Sequence, residues 1–141
     1  MASSPTETQA AAPSGRKIRT LVVDDSEHLA QTIASFLGQL DGIEIVGIVA
    51  DGCQAVRRSL ALAPDLVLMD VQLPGIDGVE ATRQIKARPG APGIIIITLD
   101  DSPACRAAAQ AAGADAFVAK AGDLPTRLVR AIQTLFPAMS V

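Results

Sequence analysis

The sequence predicts an α/β fold, a parallel five-stranded sheet with helices on both faces. Three observations predict it. From Ile18 onward, apolar runs of strand length alternate with segments whose apolar residues recur at helical spacing. Four consecutive β-branched residues, Ile94 to Ile97, fit an interior strand covered on both sides. The chain of 141 residues, 49% hydrophobic, is long enough to bury one sizeable core, so one domain is expected.

Each element has a local reason. Ile18 to Val23 reads as the first strand, and Leu29, Ile33, Phe36, Leu37 and Leu40 then mark one face of a helix. Glu44 to Val49 is the second strand, followed by a helix from about Gly52 to Ala63 that Pro64 ends. Leu66 to Met69 is a short buried strand. Asp77 and Glu80 form a capping-box-like start to a helix that runs to about Ala87. After Ile94 to Ile97, Ser102 caps a fourth helix with Pro103 in its first turn, and Gly113 stops it. Ala116 to Ala119 is the fifth strand. The last helix starts near Asp123 and carries Leu124, Leu128, Ile132 and Leu135 on one stripe. Strands that each return through a helix pair in parallel. Residues 1–17 hold nothing large to bury and read as a disordered tail, residues 18–136 as the domain, and residues 137–141 as a short C-terminal tail.

Composition excludes several functions. A net charge of −3, with twelve scattered Lys and Arg residues, gives no footprint for nucleic acid. Cys53 and Cys105 lack the spacing of a zinc or redox motif, which fits a reducing cytoplasm. Cys105 sits near a helix start, where a thiolate is favoured, but with no partner for it redox sensing is not expected. No apolar run reaches membrane-spanning length, and the N-terminus lacks a secretory signal's apolar core or a transit peptide's Arg-rich amphipathic pattern.

The chemistry lies at the strand ends. In open parallel sheets, ligands sit outside the carboxyl ends of the strands. Asp24 and Asp25 close the first strand, Asp70 the third and Thr98 the fourth, while Lys120 follows the fifth. Carboxylates about 5 Å apart repel by roughly 3 kcal/mol per pair at an effective dielectric near 20, so such a cluster needs a cation. Magnesium prefers oxygen ligands and commonly bridges carboxylates to a phosphate. Thr98 and Lys120 could hold phosphoryl oxygens, and a carboxylate can be the nucleophile. Taken singly, each of these residues reads as a cap, a turn or a surface charge; their joint placement carries the signal.

The segments LVVDDSEHL, PDLVLMDVQLPGIDGVEATRQI, IIIITLDD and GADAFVAK resemble the phosphorylation-site blocks of response-regulator receiver domains of two-component systems, over about Ile18 to Phe136. EIVGIVADG and GVEATRQI are similar to receivers of the nitrate-response regulator subfamily. The resemblance implies a flavodoxin-like (βα)5 three-layer sandwich with strand order 2-1-3-4-5. It implies a signalling module rather than an enzyme. A histidine kinase or phosphotransfer protein would be the donor, and a downstream protein or an output domain outside this chain the receiver of the signal. Asp70 would be the phospho-acceptor. Asp25 would bind Mg2+ directly, Asp24 through water, and the backbone carbonyl of Gln72 would join Asp70 in the metal shell. Thr98 and Lys120 would hold phosphoryl oxygens, and Thr98 with Phe117 would form the switch.

Two positions depart from the family's pattern. Leu99 stands where a small residue is frequent, and with Asp100 and Gln72 it is expected to flank and restrict access to Asp70. Ala121 stands where Pro is frequent, so a trans bond and a changed loop are expected after Lys120. His28, alone on the first helix, reads as a surface residue. A haloacid-dehalogenase-like phosphatase would need a second acid two residues after the nucleophile, where this chain has Gln72. The remaining alternative is a receiver-like interaction module that is never phosphorylated.

Overall fold

In the computed structural model, which describes residues 16–138, five strands alternate with five helices. In chain order they are β1 (Ile18–Val23), α1 (Glu27–Gly38), β2 (Ile43–Val49), α2 (Gly52–Leu62), β3 (Leu66–Asp70), α3 (Gly78–Lys86), β4 (Gly93–Thr98), α4 (Pro103–Ala112), β5 (Ala116–Ala119) and α5 (Leu124–Leu135). All pairings are parallel and the order is β2-β1-β3-β4-β5, as expected. Of the expected tails, residues 1–17 and 137–141, residues 1–15 and 139–141 lie outside the described residues.

The alternation of side chains along the strands explains the layers. Val22, Leu68, Ile95, Ile97 and Val118 face a core shared with Ala30, Ile33 and Leu37 of α1 and Leu128 and Ile132 of α5. Leu21, Val23, Val67, Met69, Ile94 and Ile96 face the other core, with Ala55 of α2, Ala81 and Ile85 of α3 and Ala109 of α4. Each central strand therefore buries both faces, which is why Ile94 to Ile97 carries no polar residue.

The caps follow the residues predicted for them. Asp77 accepts the Glu80 N–H at 2.8 Å, and Ser102 accepts the Cys105 N–H at 3.1 Å. Gly113 ends α4 in the left-handed region at φ 104°. Several boundaries differ by a residue or so, β3 among them, which runs on to Asp70. β2 begins at Ile43, whose N–H bonds Leu40 O; β4 runs from Gly93 through Thr98; and α2 ends at Leu62, with Ala63 taking a left-handed turn before Pro64. Only Leu128 and Ile132 of the expected α5 stripe are fully buried. Leu124 and Leu135 cover the margin of that core.

Candidate phosphoryl-acceptor site

Asp24 is the first residue after β1, and its N–H continues the sheet by bonding Val49 O at 3.1 Å. Its side chain is buried: one oxygen accepts the Ser26 N–H at 2.8 Å and the other accepts Lys120 Nζ at 2.8 Å. Asp70 ends β3, also buried. Its Oδ2 accepts Lys120 Nζ at 3.1 Å and its Oδ1 accepts the Gln72 N–H at 3.3 Å. Asp25 is exposed, yet one oxygen each of Asp24, Asp25 and Asp70 lies within 4.8 Å of the others. These three carboxylates are the group the strand ends predicted, at about the predicted spacing.

The backbone around Asp70 is held by close approach. A Cβ on Gly78 would stand 1.9 Å from the Asp70 carbonyl oxygen, so only glycine lets α3 begin directly against the end of β3. The Gly78 N–H bonds Val71 O at 2.8 Å. The intervening loop is fixed on its far side too, because a Cβ on Gly52 of α2 would stand 2.2 Å from Ile76 O.

Burial raises the Asp70 pKa above the ordinary carboxylate value. Lys120 pulls it back and Asp24 pushes it further up. For Lys120, burial works against the ammonium, but hydrogen bonds and charge from Asp24 and Asp70 outweigh it and the pKa rises. The lysine thus serves as the internal cation of an acidic cleft. Its own N–H bonds Thr98 O at 2.8 Å, which ties β5 to the end of β4.

Thr98 is fully buried, and its hydroxyl accepts the Asp100 N–H at 3.2 Å. Asp24, Asp25, Asp70, Gln72, Leu99 and Lys120 line one cleft of about 600 Å³. Leu99 stands at its mouth with 72% of its surface exposed. Asp100 departs from the expected position. Its exposed carboxylate turns to the Ser102 N–H at 3.0 Å and is not among the cleft-lining residues, because a strand-to-helix turn captures a short carboxylate as a cap. That hydrogen bond lowers its pKa.

Phe117 lies outside the cleft. Ile96 pairs with Phe117 and Thr98 with Ala119, so alternation puts Phe117 and Thr98 on the same sheet face, under α4. The ring is half-buried and lies 4.5 Å from the Arg106 guanidinium, which also pairs with Asp101 at 2.6 Å. Cys105, near the start of α4, is buried, and burial, helped by the Asp100 charge, raises its thiol pKa. His28 is exposed on α1. Sequence reasoning missed Gly78 and Arg127, which act on the backbone rather than in the cleft. Gly78 was visible only as the residue after a cap, and Arg127 gave no sequence signal.

Comparison with known proteins decides the family, because residues 20–133 match the response regulator receiver domain. The chain belongs to that family. Its fold is that of a two-component response regulator of the LuxR family from Aurantimonas sp. SI85-9A1, with a TM-score of 0.81 and 33% identity over 89% of each chain. The signal receiver domain of NarL from Mycobacterium tuberculosis superposes with a TM-score of 0.80 at 28% identity, over 87% of this chain and 97% of that one. This receiver is therefore of the NarL/LuxR type. A protein-glutamate methylesterase/protein-glutamine glutaminase from Geobacter sulfurreducens is 47% identical over 73 residues, which are 52% of this chain and 20% of that protein. The receiver spans from 20% to 55% of the length of such curated relatives. No helix among the described residues is long and apolar enough to cross a membrane.

Proposed function

We propose that this receiver accepts a phosphoryl group on Asp70 from the phosphohistidine of a histidine kinase or phosphotransfer protein in the cytoplasm, with Mg2+ as cofactor, and signals by changing shape. The observation that carries the reading is the clustering of Asp24, Asp25, Asp70 and Lys120 in one cleft.

The donor set fits a hard divalent ion. It offers only oxygens, and three carboxylates balanced by a single lysine leave two negative charges uncompensated. Asp25, Asp70 and the Gln72 carbonyl would hold the ion, with Asp24 acting through water. Bound there, it would neutralise the acidic rim and the charge of the phosphoryl oxygens. An Asp70 oxygen forms the bond to phosphorus as the phosphorus–nitrogen bond of the donor breaks, and the electron pair returns to the imidazole. Lys120 Nζ, already on Asp70 Oδ2, would take one phosphoryl oxygen, and the Thr98 hydroxyl, whose proton is not used by its Asp100 contact, would donate to another. On this reading the phosphoryl group ends on Asp70 of the chain itself, so the module acts as a signalling device rather than as an enzyme on a separate substrate.

Exposure of this chain to phosphorylated histidine kinases of its own genome, followed over seconds, tests the proposal. At least one kinase should pass its label to the wild type and none to Asp70→Asn. Transfer to Asp70→Asn, or transfer undiminished in excess chelator, would contradict it.

Leu99 at the cleft mouth should hinder small phosphodonors and the hydrolytic water. Leu99→Ala is expected to speed labelling by acetyl phosphate severalfold, at roughly 1 kcal/mol in barrier for a relieved steric contact. An unchanged or slower rate removes steric gating.

The output should pass through α4 and β5. α4 buries only Cys105, Ala109 and Ala112, against Leu128 and Ile132 for α5, so it can shift at a smaller loss of apolar contact. Thr98 moving toward the phosphoryl group would open space for Phe117 on the same sheet face, biasing a two-state element. With a beryllofluoride phosphate mimic, amide shifts should change at α4 and Phe117 as well as around Asp70. Changes confined to the Asp70 cleft would rule the switch out.

A further inference from the structure

Lys120 depends on its backbone for its aim, because it has a long flexible stem and must reach two carboxylates at the ends of two other strands. That backbone is clamped from a residue outside the cleft. Arg127 Nη1 donates to Ala119 O at 2.9 Å and to Ala121 O at 2.7 Å, the carbonyls on either side of Lys120. The Ala121 N–H also returns to Ala119 O at 2.9 Å, and the Lys120 N–H bonds Thr98 O at 2.8 Å. The peptide units flanking Lys120 therefore converge on one guanidinium nitrogen, while the lysine itself is pinned to the end of β4. Without Arg127, the Ala121 carbonyl would lose this partner at the start of a loop where Gly122 takes a positive φ of 61°.

The placement of Arg127 needs an explanation. It lies in the N-terminal part of α5, where the helix dipole disfavours a cation. Among the described residues it makes no salt bridge. Its contacts on the loop are to neutral carbonyls, which a charged donor binds more strongly than a neutral one would.

We infer that Arg127 is a positioning residue for Lys120, holding the β5–α5 loop so that the ammonium reaches Asp24 and Asp70 together. The link to phosphorylation rests on the function proposed above, whereas the clamp rests on geometry. The two are separable by experiment. With phosphoramidate as donor and Mg2+ present, Arg127→Gln should label about tenfold more slowly than wild type, since a small misplacement of a catalytic group has effects of that size or more. Arg127→Lys, which keeps an N–H donor near the carbonyls, should recover most of the rate. In a Lys120→Gln background, Arg127→Gln should add no further loss, whereas an effect on the fold alone would multiply with it. Equal labelling of Arg127→Gln and wild type, or full multiplication in the double variant, would overturn the inference.

Hydrogen exchange supplies a readout independent of any donor. In Arg127→Gln the Lys120 and Ala121 amides should exchange at least tenfold faster while β3 amides keep their protection. Unchanged exchange at those two amides overturns the clamp. If the wild type takes no phosphate, the phosphoacceptor reading fails, and the exchange result still decides the clamp.

Discussion

Lys120→Met is expected to destabilise the protein at neutral pH by about 3 kcal/mol, the cost of breaking a buried ion pair by removing one partner. The side chains of Asp24 and Asp70 are 3% and 6% exposed, so neither carboxylate can turn to solvent for compensation. The pH dependence identifies the cause. The folded Asp70 pKa is already raised by burial, and loss of Lys120 raises it further. A raised carboxylate contributes stability below its unfolded pKa and loses it as pH rises through the folded value. The deficit of Lys120→Met should therefore shrink as pH falls toward the carboxylate range. Lys120 in the wild type follows the same sign at higher pH, its raised pKa giving stability that is fully present across neutral pH and is lost only as pH rises beyond the ordinary lysine value. Denaturant midpoints at about pH 7 and about pH 5 check this. A deficit of equal size at both would mean lost packing rather than unpaired charge.

Asp70→Asn should act in the opposite direction on the metal-free protein. Burial raises the Asp70 pKa, so the ionised carboxylate is on balance unfavourable in the fold at neutral pH. The isosteric amide should raise the thermal midpoint there, and the difference should fade in acid as the wild-type carboxyl is protonated. Mg2+ should reverse the ranking. At a hundredfold excess over its dissociation constant, the ion stabilises a protein that binds it by about 2.7 kcal/mol, and most of this should be missing in Asp70→Asn. A variant less stable than wild type without metal would mean that burial does not disfavour the Asp70 carboxylate, and one equally stabilised by metal would mean that Asp70 does not hold the ion.

Much of this was legible before any coordinates. Strand and helix periods were strong because each central strand has two buried faces and each helix one apolar stripe, so Ile94 to Ile97 and Leu128 with Ile132 signalled their places directly. The rim residues were legible because strand ends in a parallel sheet converge whatever the loops do. What the sequence left open depends on side-chain orientation and backbone approach. Asp100 lies two residues from Thr98 and reads as a cleft residue until its cap to Ser102 turns it away. The burial that raises the Cys105 thiol pKa is likewise visible only in the fold. Arg127 looks like an ordinary surface cation of an amphipathic helix, and only three-dimensional reach brings it to the carbonyls of Ala119 and Ala121. Gly78 carries no mark of the 1.9 Å approach that makes its missing side chain necessary.

In the function proposed above, Asp70 within a magnesium-dependent acidic cleft is the phosphoryl acceptor. Intact-mass measurement after incubation with acetyl phosphate or phosphoramidate tests it most directly. The chain has no Trp or Tyr, so intrinsic fluorescence of those residues cannot serve in its place. The wild type should gain one phosphoryl group with Mg2+ and none in excess chelator, and Asp70→Asn should gain none. Undiminished labelling of Asp70→Asn, or of the wild type in chelator, would contradict it.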